Sequence, residues 1–225
     1  MSGIRAIYLG VQVKTKLLNF IKMCRKSNAN VLTVILRHMY FRLNKKNIFT
    51  TSRVMIKGLH NISIAKKLSI GMGEIGFSHK FDYTYLNIQG NLFLTGGCSI
   101  GRGCRIDIGK NAIAELGNCS INVHTKLIIT NGLKIGDNSS ISWGVQIMDS
   151  DFHTIEYPGK VEKNNKIIIG DHVLVGSHVQ ILKGTIIPDG CIIANGSVVT
   201  KIFEEKNALI AGNPAKVIRH DVQWS

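Results

Sequence analysis

The sequence predicts an all-β core built as a parallel β-helix of six-residue repeats, with a small helical region at its N-terminus. Three observations lead to this prediction. An aliphatic residue recurs every six positions, the residue four positions after it is usually small, and glycines are many while prolines are few. The 225 residues include 23 Gly and 3 Pro, a composition typical of a backbone that turns often and regularly rather than of a loose linker.

The six-residue repeat is clearest near the C-terminus, where the aliphatic position is filled without a break by Ile169, Val175, Ile181, Ile187, Ile193 and Val199. The mostly small residues that follow four positions later are Val173, Val179, Thr185, Cys191 and Ser197. Neither the roughly 3.6-residue period of a helix nor the alternation of a strand explains this spacing. A triangular coil does, because three units of strand and corner return the chain to its starting edge after about 18 residues. Successive coils then pair as parallel strands about 4.8 Å apart.

The same phase continues upstream at Ile129, Ile135, Ile141 and Ile147, and earlier at Leu94, Ile100 and Ile106. The pattern divides the chain into a basic, partly helical region at 1–60, a repeat domain at 61–202 and a C-terminal segment at 203–225. Two stretches within the repeat domain, 74–90 and 148–167, lack the repeat. Loops that leave a rigid scaffold often carry function. Mixed basic and apolar positions over 11–45 predict one or two amphipathic helices.

Positive charge is concentrated at the N-terminus. Residues 1–73 contain 14 of the 28 Lys and Arg and no Asp or Glu, whereas residues 74–225 contain 14 of each sign. Three interpretations stay open: contact with an anionic membrane surface, where each Lys or Arg contributes about 1 kcal/mol, attraction of an anionic substrate or nucleic acid, and an ordinary solvated helical face. Nucleic acid is the weakest of these partners, because no nucleic-acid-binding motif accompanies the charge.

The cysteines and the N-terminal residues predict a cytoplasmic protein. The five cysteines form no CxxC pair and no metal-ligand spacing, and no secretory signal is visible, which together favour a reducing compartment. The longest apolar run near the N-terminus, 31–36, is too short to span a bilayer, so membrane association would have to be peripheral. His172 and His178 lie six residues apart, on adjacent faces of such a coil, which disfavours a zinc site within one chain.

Over roughly 62–220 the sequence resembles the hexapeptide-repeat acyltransferases. It is most similar to the branch that O-acetylates sugars: maltose and galactoside acetyltransferases and the enzymes that modify capsular or O-antigen polysaccharide. Three motifs carry the resemblance: VQIMDSDFH at 145–153, VLVGSHVQILKGTIIPDG at 173–190, and NGSVVTK with AGNPAKVIR within 195–219. The resemblance implies a left-handed coil, against the usual right-handed crossover preference. It also implies acetyl-CoA as donor and a homotrimer with active sites in clefts between neighbouring prisms.

The resemblance places the catalytic histidine on the loop that ends such a coil, which here is His153. An alcohol is a poor nucleophile at neutral pH, and histidine titrates in the range needed to take its proton. Asp149 and Asp151 flank His153, and either could orient the imidazole or be a solvated loop residue. Asn122 and His124 lie near the position of an asparagine that assists the reacting centre in related enzymes, where a donor could stabilise an oxyanion. Corner packing is the alternative for both.

The resemblance assigns CoA binding to Gly176, Ser177, Asn195, Thr200, Lys201, Lys216 and Arg219. Extended pantetheine needs backbone donors and acceptors along a groove, and the nucleotide phosphates need Lys or Arg. No Ser or Cys has a motif that indicates a covalent acyl-enzyme, so we expect direct transfer.

The predicted function is acetyl-CoA-dependent O-acetylation of a sugar hydroxyl, in a surface polysaccharide or its lipid-linked precursor, without a metal. Two alternatives stay open: acetylation of an amino sugar or an antibiotic, and a non-catalytic scaffold that keeps the repeat. Acceptor contacts would come from the variable segments 74–90 and 154–167, so the sequence does not separate the two enzymatic alternatives.

Overall fold

Two helices precede the β-structure in the computed structural model, which describes residues 2–73, 78–156, 158–159 and 164–225, with side chains from residue 14 onward. They are α1 (Ser2–Lys26) and α2 (Val31–Leu43). Asn30 caps α2, because its side-chain oxygen accepts a hydrogen bond from the Thr33 backbone N–H at 3.0 Å and so satisfies a free donor of the first turn. The helices predicted over 11–45 are confirmed.

The strands, numbered in chain order, form three sheets. Sheet A contains β1 (Ile48–Thr50), β4 (Lys67–Ile70), β7 (Gly97–Ile100), β10 (Ser120–Ile121), β13 (Ser140–Ile141), β16 (Leu174–Val175), β19 (Ile192–Ile193), β21 (Leu209–Gly212) and β22 (Ala215–Arg219). Sheet B contains β2 (Val54–Lys57), β5 (Thr84–Ile88), β8 (Arg105–Ile108), β11 (Lys126–Ile129), β14 (Gln146–Met148), β17 (Gln180–Leu182) and β20 (Val198–Val199). Sheet C contains β3 (Ile62–Ile64), β6 (Asn91–Leu94), β9 (Ile113–Leu116), β12 (Gly132–Ile135), β15 (Ile167–Ile169) and β18 (Ile186–Ile187).

The chain visits sheets A, B and C in turn, so that three strands complete one coil of a triangular prism. Every strand pair within the sheets is parallel except β21 with β22. In the C-terminal coils Ile169 pairs with Ile187, 18 residues later, as predicted. Upstream coils are longer, since Leu127 pairs with Ile106 and with Ile147. Strands β8 and β11 of those coils have four residues, whereas β16 and β19 of the C-terminal coils have two.

Aliphatic side chains fill the interior of the prism. All six residues of the C-terminal column, from Ile169 to Val199, have 0% exposed surface. The small residues of the neighbouring column, such as Val173 and Thr185, are also buried, because the corners bring the backbone close to the core. The predicted parallel β-helix with an all-β core is therefore confirmed.

Two glycines that follow the aliphatic position, Gly136 and Gly170, are required by a polar side chain of the next coil. A Cβ on Gly170 would lie 2.4 Å from Asp189 Oδ1, and a Cβ on Gly136 would lie 2.2 Å from Asp171 Oδ1. Each carboxylate needs this space because it accepts a backbone N–H from the preceding coil: Asp171 Oδ1 from Asp137 at 2.7 Å, and Asp189 Oδ1 from Asp171 at 3.0 Å. Glycine and Asp thus form a repeating pair along one edge of the prism.

The β-helix begins earlier than the predicted boundary at 61. Its first coil contains β1 to β3, and Ile48 and Val54, six residues apart, are both buried. The repeat is present there, but the short 3₁₀ helix Leu59–Asn61 shifts its phase before the column resumes at Ile62. The predicted N-terminal region therefore contains β-helix as well as helices.

The predicted gap at 74–90 is also shorter than expected. Residues 84–88 are strand β5, with Thr84, Leu86 and Ile88 buried and the intervening residues half-buried. The aromatic residues of this stretch made the alternation of buried and half-buried positions difficult to recognise in the sequence. Residues 74–77 lie outside the described residues.

The gap at 148–167 is found where it was predicted. Strand β14 ends at Met148 and β15 begins at Ile167, so that Ile135 pairs with Ile169, 34 residues later. The stack of coils accommodates this insertion without losing its register. After the last coil, β21 and β22 form an antiparallel hairpin at the end of sheet A. In the described part of the chain, neither helix has the length and apolar character needed to cross a membrane.

We predict that Ile187→Ala lowers the free energy of unfolding by about 2–5 kcal/mol, because it leaves a cavity in a fully packed column. Ile113→Ala, at a strand position that is 44% exposed, should cost at most about 1 kcal/mol. Urea unfolding followed by circular dichroism measures both. Equal losses would contradict a core built on the inward column.

Candidate functional site

The corners of the prism lie along three edges, named AB, BC and CA after the sheets that they join. A cavity of about 920 Å³ opens at edge BC. Its walls come from the loop between β14 and β15 and from the corners after β17 and β20. Volumes of roughly 300–1,000 Å³ are typical of small-molecule sites, so this cavity is the candidate functional site.

A second depression, of about 470 Å³, lies over the outer face of sheet A. It is lined mainly by serine and asparagine side chains and contains neither a histidine nor a carboxylate. This depression therefore offers no histidine, which is the commonest general acid or base, and no carboxylate.

His153 lines the cavity at edge BC, and its side chain is exposed. The residue before it, Phe152, has a φ of 59°, in the left-handed region that residues other than glycine seldom adopt. The Phe152 backbone N–H donates to Ser150 Oγ at 3.0 Å. The chain therefore turns sharply just before His153.

Asp149 anchors the start of the His153 loop. Its side chain is completely buried. Asp149 Oδ1 accepts the Thr130 backbone N–H at 2.7 Å and the Thr130 hydroxyl at 3.0 Å. Its Oδ2 accepts the backbone N–H groups of Asn131 and Gly132 at 2.7 and 2.8 Å. These donors form the corner of the preceding coil. The sequence left Asp149 either to orient His153 or to be a solvated loop residue. Its carboxylate is buried, so the solvated position is wrong, and its hydrogen bonds hold the start of the loop on the prism.

Asp151 faces the same cavity as His153 and forms an ion pair with Lys183. Lys183 belongs to the corner after β17, one coil further along the prism, and it was not among the predicted site residues. The six-residue repeat could have identified it, because residues that follow a strand of sheet B lie on edge BC, and Lys183 follows β17. Asp151 is thus tied to a neighbouring coil, while both side chains stay partly exposed.

Thr200 and Lys201 also line this cavity, from the corner after β20. The Lys201 ammonium lies 5.1 Å from the ring centroid of Phe203, which is buried beneath it. A cation held over an aromatic face keeps a defined position. The structure thus brings together Asp151, His153, Thr200 and Lys201 of the predicted residues.

Asn122 and His124 lie on edge AB, across the width of sheet B from the cavity. His124 has a φ of 59°, and its Nε2 lies 3.3 Å from Asp82 Oδ2. Asn122 Oδ1 accepts the Val123 backbone N–H at 2.8 Å. Both residues are exposed. Within one chain, therefore, neither residue is next to His153.

Gly176, Ser177 and Asn195 also lie on edge AB. Asn195 Oδ1 accepts the Ser177 backbone N–H at 2.9 Å, and a Cβ on Gly176 would lie 2.4 Å from that oxygen. Asn195 therefore joins two coils in the way that Asp171 and Asp189 do. The resemblance assigned Ser177 to CoA binding, and its backbone N–H already has a partner within the chain.

Lys216 and Arg219 are exposed on β22, the last strand of sheet A. The segment after it folds back on edge CA. There the Trp224 ring stacks on His172 at 4.3 Å between centroids, and Trp224 Nε1 donates to the His172 carbonyl at 2.9 Å. His172 is therefore on a different edge from His178, which follows β16 on edge AB, and the two do not form a shared metal site in one chain.

The cysteines are all free and buried. Burial raises the pKa of the Cys104 thiol to about 12, and burial also raises the pKa of Cys191. The hydrogen bond to Cys119, together with burial, raises the pKa of Cys98 well above its usual range. A cysteine nucleophile needs an accessible thiolate, which these three buried residues do not provide at neutral pH.

Comparison with known proteins identifies the family. Residues 166–201 match the family model described as the hexapeptide repeat of succinyl-transferase. The chain is also 43% identical over 204 residues to a protein of Klebsiella pneumoniae described as an uncharacterized 24.8 kDa protein in the cps region, with 89% of this chain and 92% of that protein covered. The chain therefore belongs to the same family as this Klebsiella protein, and its C-terminal coils carry the hexapeptide repeat that its motifs predicted.

Several solved structures are similar to this chain. The polySia-specific acetyltransferase NeuO is 20% identical, with 80% of each chain covered and a TM-score of 0.48. The polysialic acid O-acetyltransferase OatWY is 22% identical, with 79% of this chain and 86% of that chain covered and a TM-score of 0.44. AntD, an N-acyltransferase from Bacillus cereus, was solved as a variant with dTDP-4-amino-4,6-dideoxyglucose and coenzyme A. It is 16% identical, with 83% of this chain and 90% of that chain covered and a TM-score of 0.45.

We predict that Asp149→Asn lowers the free energy of unfolding by about 3 kcal/mol, because an amide NH₂ would face buried backbone donors that now share a carboxylate. Asp151→Asn removes only a partly exposed ion pair and should cost less than about 1 kcal/mol. Thermal unfolding of both variants measures the difference. A loss no larger for Asp149→Asn than for Asp151→Asn would show that Asp149 does not anchor the loop.

Proposed function

We propose that the protein is an acetyl-CoA-dependent O-acetyltransferase that acts on a sugar hydroxyl. One observation carries this proposal: the loop inserted between β14 and β15 presents His153 to a cavity of about 920 Å³ that Lys183 and Lys201 also line. A histidine in such a cavity is suited to take a proton from a hydroxyl. The scaffold that holds it carries, at residues 166–201, the repeat described as the hexapeptide repeat of succinyl-transferase, which supports group transfer from a CoA thioester.

In the proposed reaction His153 acts as general base. Its imidazole takes the proton of the acceptor hydroxyl while the oxygen attacks the thioester carbonyl carbon. The C–O bond forms, the C–S bond breaks, and the imidazolium returns the proton to the departing thiolate. Direct transfer fits the buried, protonated thiols of Cys98, Cys104 and Cys191, which leave no accessible thiolate among them to carry the acyl group.

Asp149 acts on this mechanism only indirectly, by fixing the loop that carries His153 and Asp151. Asp151 is the candidate for orienting the imidazole, since both residues line the same cavity. Its ion pair with Lys183 would hold the carboxylate in a defined position. Asn122 and His124 could contribute to the reacting centre only from a neighbouring chain, because they lie on the other edge of sheet B.

The site is completed, in this proposal, by a second copy of the chain in a homotrimer. Edge BC of one prism would face edge AB of its neighbour, so that the His153 cavity meets Gly176, Ser177 and Asn195. Acetyl-CoA would lie in the cleft between them. Of the residues assigned to CoA, the exposed cations Lys201, Lys216 and Arg219 suit its phosphates, whereas Asn195 acts mainly between coils.

The relative in the cps region supports a capsule-related saccharide as acceptor. We propose that the acceptor is a sugar hydroxyl in surface polysaccharide or its precursor, and that transfer takes place in the cytoplasm, which suits five free thiols. The described residues contain no cluster of metal ligands, and the proposed chemistry needs none.

The first test is binding of acetyl-CoA, measured by thermal unfolding with and without ligand. At about 100 times its dissociation constant, a bound ligand adds roughly 2.7 kcal/mol of stability, so a clear upward shift is expected. The shift should be smaller in Lys216→Ala/Arg219→Ala and unchanged in Lys66→Ala/Lys110→Ala, which alters exposed lysines of earlier coils. No shift at millimolar ligand would favour a non-catalytic scaffold.

The second test is turnover, followed as thiol release from acetyl-CoA with a panel of saccharide acceptors. His153→Ala should lower the rate about 100- to 10,000-fold, the usual contribution of a general base, while the stabilisation by acetyl-CoA persists. The control is His60→Ala, which changes an exposed histidine outside the cavity. Wild-type turnover in His153→Ala would disprove the mechanism but not the binding of CoA.

A further inference from the structure

Helix α2 is apolar on two opposite faces. Its inner face carries Val34 and Phe41, which are buried against the rest of the protein. Its outer face carries a row of large apolar side chains that are mostly exposed. The row consists of Leu32 (64% exposed), Leu36 (57%), Met39 (58%) and Leu43 (84%). Their spacing of four, three and four residues places them on one side of a helix. We call these four residues the outer face of α2.

Further apolar residues widen the outer face on both sides. Ile35 is 36% exposed and Tyr40 is 58% exposed, and each lies next to the row on the helix surface. An apolar stripe along a helix is normally turned toward a protein core or toward lipid. Here only one side is buried, so the outer face lacks a covering partner within the described residues.

Inner contacts hold α2 in one orientation. Arg37 donates from Nε to Thr50 Oγ1 and from Nη2 to the Val54 carbonyl, both at 2.6 Å. The His38 ring stacks on Phe49 with 3.9 Å between centroids. These contacts join the helix to the first coil of the β-helix, so α2 cannot simply turn its outer face inward.

The charged side chains of the two helices are all positive. Residues 1–73 contain no acidic residue, and Lys14, Lys16, Lys22 and Arg25 are exposed on α1, which packs beside α2. A second copy of the chain approaching through the same face would bring a second cluster of cations. A bilayer with anionic headgroups offers the complementary charge and an apolar interior.

We propose that the outer face of α2 docks the protein on the surface of an anionic lipid bilayer. Leu32, Leu36, Met39 and Leu43 enter the boundary between headgroups and acyl chains, and the cations of α1 lie among the headgroup phosphates. The helix lies in the plane of the membrane, as expected for a segment that is apolar on the lipid side and basic at its border. Docking is independent of the proposed acetyltransferase activity and needs no CoA.

Co-sedimentation with vesicles tests the proposal on the full-length protein. The vesicles are phosphatidylcholine alone and phosphatidylcholine with phosphatidylglycerol, each at low and high NaCl. We expect binding to the anionic vesicles that weakens at high salt, because screening shortens the reach of the charges. Leu36→Ser/Met39→Ser should lower the partition about tenfold or more, since two apolar side chains no longer enter the bilayer.

The matched control is Phe93→Ser/Ile113→Ser, which removes two apolar side chains that are 38% and 44% exposed on sheet C. It should bind anionic vesicles as the wild type does, and circular dichroism checks that each variant is folded. Absence of binding to anionic vesicles, or equal binding by both double variants, overturns the proposal. Light scattering without lipid measures the size of the assembly. If Leu36→Ser/Met39→Ser forms a smaller assembly than the wild type, the outer face of α2 contacts a second copy of the chain, and the proposal is also overturned.

Discussion

The stacking of one coil on the next is the constraint on which the rest of this structure depends. Each strand obtains its hydrogen-bond partners only from the coils before and after it, and each inward aliphatic side chain packs on its counterparts in those coils. Ile169, for example, pairs with Ile135 on one side and Ile187 on the other. A segment can therefore be inserted at a corner without loss of the hydrogen bonds between strands, provided that the next strand returns in register. The His153 loop is such an insertion.

Corners of successive coils are joined by the same type of hydrogen bond, in which a polar side chain accepts a backbone N–H from the coil before. Asp171 and Asp189 do this on edge CA, Asn195 on edge AB, and Asp149 on edge BC. Because buried or partly buried N–H groups need partners, these residues would be expected in a scaffold without any catalytic role. Candidate functional residues at corners must therefore be separated from those that serve the coil. On edge BC, Asp151, His153, Lys183, Thr200 and Lys201 remain as candidates once that is done.

The molecule separates its proposed tasks in space. The end of the prism where the chain begins carries α1 and α2, the excess positive charge and an exposed apolar face. The His153 cavity belongs to later coils, and the phosphate-binding candidates Lys216 and Arg219 follow on the last hairpin. A rigid prism can hold a membrane-facing end and a transfer site at a set separation, which would suit an acceptor that is itself attached to lipid.

The sequence by itself determined the parts that depend on residues near one another in the chain. The six-residue period predicted the inward column, the mixed apolar and basic pattern predicted one or two helices, and the loss of the repeat located the loop at 148–167. Only the tertiary structure decided what depends on which coil lies above which. It placed the start of the prism at Ile48, gave Asp149 its donors from residues 130–132, paired Asp151 with Lys183, and put Asn122 and His124 on a different edge from His153. The reason is physical: the local period fixes the direction of each side chain, whereas its partners come from coils about 18 to 34 residues away, at distances that vary with strand length and insertions.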